Sequence, residues 1–136
     1  MASILKVDDL RGHTAAGNIT ITSEGGAATM QLQQGVAKHW HTSDGSGTVA
    51  IDDSLNTSSM TDAATGRYDF VVTNNFLTLN FSPTSNCNSN TGSSWGDGGN
   101  ATFSKTTSGY RIGCNNTSNT ATDSNFVQVG AWGDLA

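Results

Sequence analysis

Apolar and polar positions alternate in short runs along most of this chain, the period-two pattern of strands with one buried face. The clearest run is Arg67–Thr73, where Tyr68, Phe70 and Val72 share a face. After Asn74 and Asn75, the segment Phe76–Phe81 predicts a return strand with Leu77, Leu79 and Phe81 inward, making a hairpin with a short polar connection. A second hairpin is predicted between the run around Trp40 and the run Thr48–Ile51, joined by the Gly-rich turn Ser43–Gly47. There Lys38 and Trp40 take one face, and Ala37, His39 and His41 take the other. Trp40 is the expected core anchor, Gly45 and Gly47 form the turn, and Val49 and Ile51 lie on the return strand.

The remaining segments are weaker. Asn18–Thr22 alternates cleanly and predicts a strand, and residues 3–9 form a β-prone run with Leu5 and Val7 on one face. Residues 10–17 are turn-like, with His13 a solvated loop residue. Met30 and Leu32 do not fix a period, so a single helical turn and continued extension both fit, with Gly35 ending the segment. Residues 52–66 read as polar and irregular, anchored by Leu55 and Met60. Residues 82–100 form a long loop whose apolar anchors are Cys87 and Trp95. Further strands are expected at 101–105, 110–114 and 126–131, the last two separated by a second polar loop. Many short strands and no persuasive helix predict an all-β fold: an antiparallel β-sandwich, jelly-roll-like, with an extended N-terminal arm. The arm, 1–34, holds too little apolar surface to fold alone; the β-domain covers 35–136.

Composition sharpens this. Charged residues are 12% of the 136, against a typical ~25%, which disfavours an ion-pair-laced helical surface. Hydrophobic content of 35% is low for the length, so burial against identical copies is expected to supplement a thin core. A net charge of −5 with scattered basic residues argues against nucleic-acid binding and against adsorption to anionic membranes. No apolar run approaches the ~20 residues of a membrane span. The opening residues lack a signal-peptide pattern, so synthesis in a cytosol is expected and the Asn-x-Ser/Thr triplets read as accidents of composition.

Candidate chemistry is sparse. His39 and His41 share a strand face with Cα atoms about 7 Å apart. Around a threefold axis such pairs gather six nitrogens, a set suited to an octahedral transition metal; two partly buried histidines hydrogen-bonded within the sheet are the commoner reading of such a pair. Trp95, Asp97 and Asn100 form the most site-like loop. The indole could stack on a sugar, with the carboxylate and amide bonding hydroxyls; otherwise Trp95 pins the loop to the sandwich. Trp132 is expected to pack on the sheet or on a neighbouring copy. Cys87 and Cys114 are too far apart in sequence for a CxxC motif. They are free thiols in a reducing cytosol, and oxidising surroundings would allow a bridge. The one G-x-S-x-G match, Gly92–Gly96, falls inside the low-complexity polar loop rather than on a strand-to-helix elbow, and no paired-carboxylate arrangement or phosphate-cradling loop stands out, so no enzymatic activity is expected.

The segments LQQGVAKHWH, DGSGTVAIDDSLNTSSMTDAATG and RYDFVV, in this order, resemble a family of tailed-bacteriophage virion proteins of the tail-fibre-like or appendage type. The opening, SILKVDDLRG ahead of NITI, is also similar to short virion proteins of that kind. The resemblance spans roughly residues 1–73. It departs at His39 and His41, where apolar or small polar residues are expected, and at Asp52, which replaces a basic position. Beyond about residue 80 it ends. It implies a homotrimeric or otherwise symmetric β-protein of the virion, without enzymatic activity, made in the bacterial cytoplasm. Beyond the resemblance, the arm is expected to attach the subunit to other virion proteins, and the β-domain to face a bacterial surface, where a host glycan is the candidate contact. A capsid decoration or head-fibre protein is the nearest competing reading, and a carbohydrate-binding module, suggested by Trp95 and Trp132, is a third.

Overall fold

A computed structural model of the chain describes residues 5–15, 18–23, 25–26, 28–88, 101–116 and 118–136. They divide into two compact units, Met1–Val36 and Ala37–Ala136.

In the first unit, β1 (Thr20–Thr22) pairs antiparallel with β2 (Thr29–Gln31), placing Ile21 opposite Met30. Gly26, at φ +72°, supplies the left-handed residue of the connecting turn, and its amide donates to the Ser23 carbonyl at 2.8 Å. The single turn α1 (Leu32–Gly35) follows. Two three-residue strands bury almost nothing, and no described residue of this unit is buried. The strand expected over 3–9 does not form among its described residues: Leu5 and Val7 are exposed, with no sheet to lie on.

The second unit is an all-β sandwich. One sheet has the order β4-β3-β10-β7, from β3 (His39–Asp44), β4 (Ala50–Leu55), β7 (Ser82–Cys87) and β10 (Val127–Trp132). The other has the order β5-β6-β9-β8, from β5 (Thr57–Ala64), β6 (Arg67–Val72), β8 (Ala101–Thr106) and β9 (Gly109–Gly113). All pairings are antiparallel. Three successive pairs, β3–β4, β5–β6 and β8–β9, stay within one sheet, while the other connections cross between sheets. The core is filled from both sheets: Tyr68, Phe70 and Val72 of β6 and Tyr110 and Ile112 of β9 meet Val127, Val129 and Ala131 of β10. Each large apolar side chain so buried contributes roughly 1.5–3 kcal/mol.

The β3–β4 hairpin forms as its turn chemistry dictates. Asp44 Oδ1 accepts from the Ser46 amide at 2.8 Å and from its hydroxyl at 2.7 Å, and Gly47 adopts φ +61°. Gly45 lies so close to the Tyr68 ring that a Cβ there would collide with it. The Tyr68 hydroxyl donates to the Gly45 carbonyl at 3.0 Å and accepts from the Ser124 amide at 2.9 Å, so one buried phenol joins the turn to the chain leading into β10.

Three expectations are corrected. The long loop expected over 82–100 opens as a strand, β7 (Ser82–Cys87), which takes the edge of β10 not used by β3. Residues 52–66 are mostly strand rather than irregular. The chain passes from one sheet to the other at Asn56, which sits at φ +59°. Its side chain bonds the Lys38 and Asn74 carbonyls at 3.0 and 3.1 Å, and its Oδ1 accepts from the Asn74 amide at 2.7 Å. In addition, Phe76–Phe81 is not a return strand. Both edges of β6 are already taken, by β5 and β9, so no hydrogen-bonding edge remains for it. The segment is a loop pinned by Phe76 and Phe81, whose rings stack at 4.0 Å in the core, while Leu77 and Leu79 are exposed.

Candidate functional site

Which face of β3 turns inward is decided by its neighbour β10. The register places His41 opposite Val129 and His39 opposite Ala131, while Trp40 lies opposite Gly130 and Thr42 opposite Gln128. Directly paired residues share a face, so burying the apolar row of β10 buries the histidines with it. Trp40 is therefore on the outer face and only half-buried, not a core anchor. Between the sheets, His39, His41 and Ser43 are 0%, 1% and 0% exposed.

The two imidazoles are held differently. His39 Nδ1 is 2.9 Å from the Tyr110 hydroxyl and its Nε2 is 3.0 Å from Thr57 Oγ1. Thr57 Oγ1 donates to the Trp40 carbonyl at 3.5 Å, so it accepts the His39 Nε2 proton and Tyr110 donates to Nδ1. That assigns one neutral tautomer, with both nitrogens satisfied across the two sheets. His41 has half of this. Its Nδ1 is 3.2 Å from Ser43 Oγ, which donates to the Val127 carbonyl at 3.3 Å, while its buried Nε2 has no hydrogen-bond partner. The His41 ring packs 4.3 Å from Phe70 and lies edge-on to His39 at 5.5 Å.

Burial fixes their chemistry. It pushes the His39 pKa down to about 4. His41 falls to about 3, first through burial and then through repulsion from a charged His39. Burial raises the Tyr110 phenol. At neutral pH both imidazoles are uncharged, and bases this weak make poor proton acceptors. Sealed between sheets, they have no route to a substrate.

The threefold-axis metal site expected of His39 and His41 does not fit this geometry. Both rings face the interior of a single sandwich, so copies of the chain around an axis cannot bring their pairs together. Among the described residues, no group of three or more His, Cys, Asp or Glu side chains is placed to hold a metal ion. His39 and His41 instead put polar rings within the core, His39 bridging to Tyr110 and Thr57 of the facing sheet, at positions that period-two reasoning could locate but not orient.

Cys87 and Cys114 form a disulfide with Cα atoms 6.2 Å apart. Cys87 ends β7 and Cys114 follows β9, so the bond ties one sheet to the other. Trp95, Asp97 and Asn100 lie outside the described residues.

The outer faces carry the accessible chemistry. On the β5-β6-β9-β8 sheet, Arg111 makes a two-pronged pair with Asp69, at 2.6 and 2.7 Å, beside a shallow recess of about 290 Å³ edged by Ser104, Thr106 and Ser108. The pair holds the Asp69 carboxyl below the usual range. On the β4-β3-β10-β7 sheet, Trp132 is 39% exposed, next to a recess of about 190 Å³ lined by Thr84, Ser85, Asn86, Gln128, Val129 and Gly130. Sequence reasoning singled out Trp132 but not the amides beside it; their alternation on β7 and β10 was the available signal.

No protein-family model, curated protein or solved structure matches the chain. Among the described residues no helix is long and apolar enough to cross a membrane.

Proposed function

We propose that this protein is a structural subunit of a tailed-bacteriophage particle, of the tail-fibre or appendage type. Its N-terminal unit attaches it to other virion proteins, and its sandwich is exposed. The observation that carries this reading is the first unit itself. Leu5, Val7, Leu10, Ile21, Met30 and Val36 are between 42% and 77% exposed, and the unit's one β-ribbon, which carries Ile21 and Met30, is too short to be stable alone. Such a segment acquires its structure by burying those side chains in a partner and adding its backbone to a neighbouring strand. The resemblance of residues 1–73 to virion proteins points the same way. A sheet-to-sheet disulfide suits a particle released from the cell into oxidising surroundings.

The subunit acts by binding rather than by catalysis. Its two core imidazoles are neutral and sealed. Homotrimers, the common plan for fibrous virion proteins with the resemblance noted, would cover exposed apolar surface symmetrically. The test is to raise antibody against the sandwich and image purified particles of the phage that encodes the chain. Label at the tail or its appendages is expected. Label on the capsid lattice would reassign it as a decoration or head-fibre protein, and unlabelled particles would overturn the virion reading.

A further inference from the structure

The outer face of the β4-β3-β10-β7 sheet carries an arrangement that the sandwich core does not require. Gly130 lies at the middle of this face, with Trp40 directly across on β3 and Thr84 directly across on β7. The Trp132 indole leans back along β10 over that bare position. A Cβ at residue 130 would stand 3.0 Å from Trp132 Cη2 and 3.3 Å from Cζ3, tighter than ordinary contact. Glycine at 130 thus lets the ring lie down on the strand with part of its surface left to solvent. One step along the same face, Gln128 has Thr42 and Asn86 as cross-strand partners. The recess beside the ring is edged by the outward side chains of Thr84, Asn86 and Gln128, with the main chain at Ser85, Val129 and Gly130 between them.

We propose that this face is a binding site for an uncharged sugar, with one ring stacked on the Trp132 indole and its hydroxyls bonded by Gln128, Asn86 and Thr84. Three features select that ligand. Among the described residues no ionisable side chain lines the recess, so neither an anionic nor a cationic ligand finds a counter-charge from them. The carboxamides of Asn86 and Gln128 each offer a donor pair and an acceptor, and the Thr84 hydroxyl, which donates to the Gly130 carbonyl at 3.4 Å, offers a further acceptor, matching sugar hydroxyls that both donate and accept. The indole supplies a flat, electron-rich surface for the C–H face of a pyranose. At about 190 Å³ the recess suits a single ring and not a larger ligand. Affinity of one site is therefore weak, and several copies on one particle raise it by avidity. The site deepens the host-contact part of the function proposed above and rests on that reading for its biological setting, but its chemistry is tested separately.

The test titrates the full-length chain with neutral oligosaccharides containing glucose, galactose or N-acetylglucosamine, to about 10 mM, following tryptophan fluorescence and calorimetric heat. At least one of these is expected to bind. Trp132→Ala should then lower the affinity about tenfold, and Gln128→Ala about threefold to tenfold. Because Trp132 and Gln128 lie outside the core, both variants should retain the parental melting temperature. Gly130→Val, which displaces the indole without removing it, should weaken binding as Trp132→Ala does. No binding by any of the sugars would overturn the proposal, as would binding that both alanine variants leave intact. Fluorescence that changes with protein concentration but not with sugar would also overturn it, making the face a contact between copies. Particles that carry the chain while the chain binds no sugar would leave the virion reading standing and remove this site; sugar binding by a chain absent from particles would do the reverse.

Discussion

The two units of this chain handle their apolar side chains in opposite ways. In Ala37–Ala136, a low-charge, Gly- and Ser-rich sequence still closes a core of aromatic and β-branched residues, held by a disulfide and by Tyr68, Tyr110 and His39 hydrogen bonds that cross between elements. In Met1–Val36, comparable side chains, Ile21 and Met30 among them, stay exposed. The difference is one of partners: each strand in the sandwich finds others to cover its inner face, while β1 and β2 find only each other. One unit covers its apolar side chains by its own contacts, and the other leaves them uncovered, as the attachment role proposed for it requires.

Acid should separate the units most strongly. An unfolded histidine has a pKa near 6.5, whereas His39 and His41 titrate at about 4 and about 3 when folded. Between these values the unfolded chain holds more protons, so stability falls as pH drops below about 6.5 and is restored above it. Each shift is on the order of 3 kcal/mol or more, a large part of an ordinary domain's stability. The urea midpoint of the sandwich should drop steeply between pH 7 and pH 4; equal midpoints would show that the imidazoles are not buried and neutral.

Cutting the sheet-to-sheet bond comes next. With the cysteines separated by 27 positions in sequence, loss of the loop constraint costs about 3–4 kcal/mol. Cys87→Ser with Cys114→Ser should lower the melting temperature by well over 10 °C, and reductant should do the same to the parent protein. A parent indifferent to reductant would contradict the role given to the bond.

The two histidines should then differ from each other. His39→Phe leaves the Tyr110 hydroxyl without its partner in the core and Thr57 with only a long bond to Trp40, costing about 2–4 kcal/mol. His41→Phe removes a nitrogen that has no partner and leaves Ser43 bonded to Val127, so its effect should lie within about 1 kcal/mol. Chemical denaturation of the pair checks this, and equal losses would mean that the hydrogen-bond asymmetry has no energetic consequence. The smallest effect is expected in the arm. Ile21→Ser with Met30→Ser should move the melting of the free chain by no more than about 0.5 kcal/mol while weakening incorporation into particles. A large loss of stability in the free chain would place those side chains in a core after all.

The same contrast explains what could be seen in the sequence. β6 and the β3–β4 hairpin were legible because their alternation is strict and Asp44, Ser46 and Gly47 carry turn chemistry. β5 was not, because it is an edge strand on which only Thr57 and Met60 are even partly buried, so its residues look like loop. Phe76–Phe81 alternated by chance; whether a partner edge was free depended on β9, which lies more than thirty residues downstream. Alternation placed His39 and His41 on one face of β3 but could not say which face was inner, since that was decided by the apolar row of β10. The outer face around Trp132 was half visible: the ring could be named, but only strand pairing brings Thr84, Asn86 and Gln128 onto the same face.

Hydrogen exchange at the amides of residues 18–36 tests the difference between the units most directly, measured in the free chain and in assembled particles against the amides of β6 and β9 as an internal standard. The expected result is rapid exchange of 18–36 in the free chain, where a two-stranded ribbon has little to protect it, and slow exchange in the particle. Protection in the free chain equal to that of β6 and β9, or rapid exchange persisting in the particle, would contradict it.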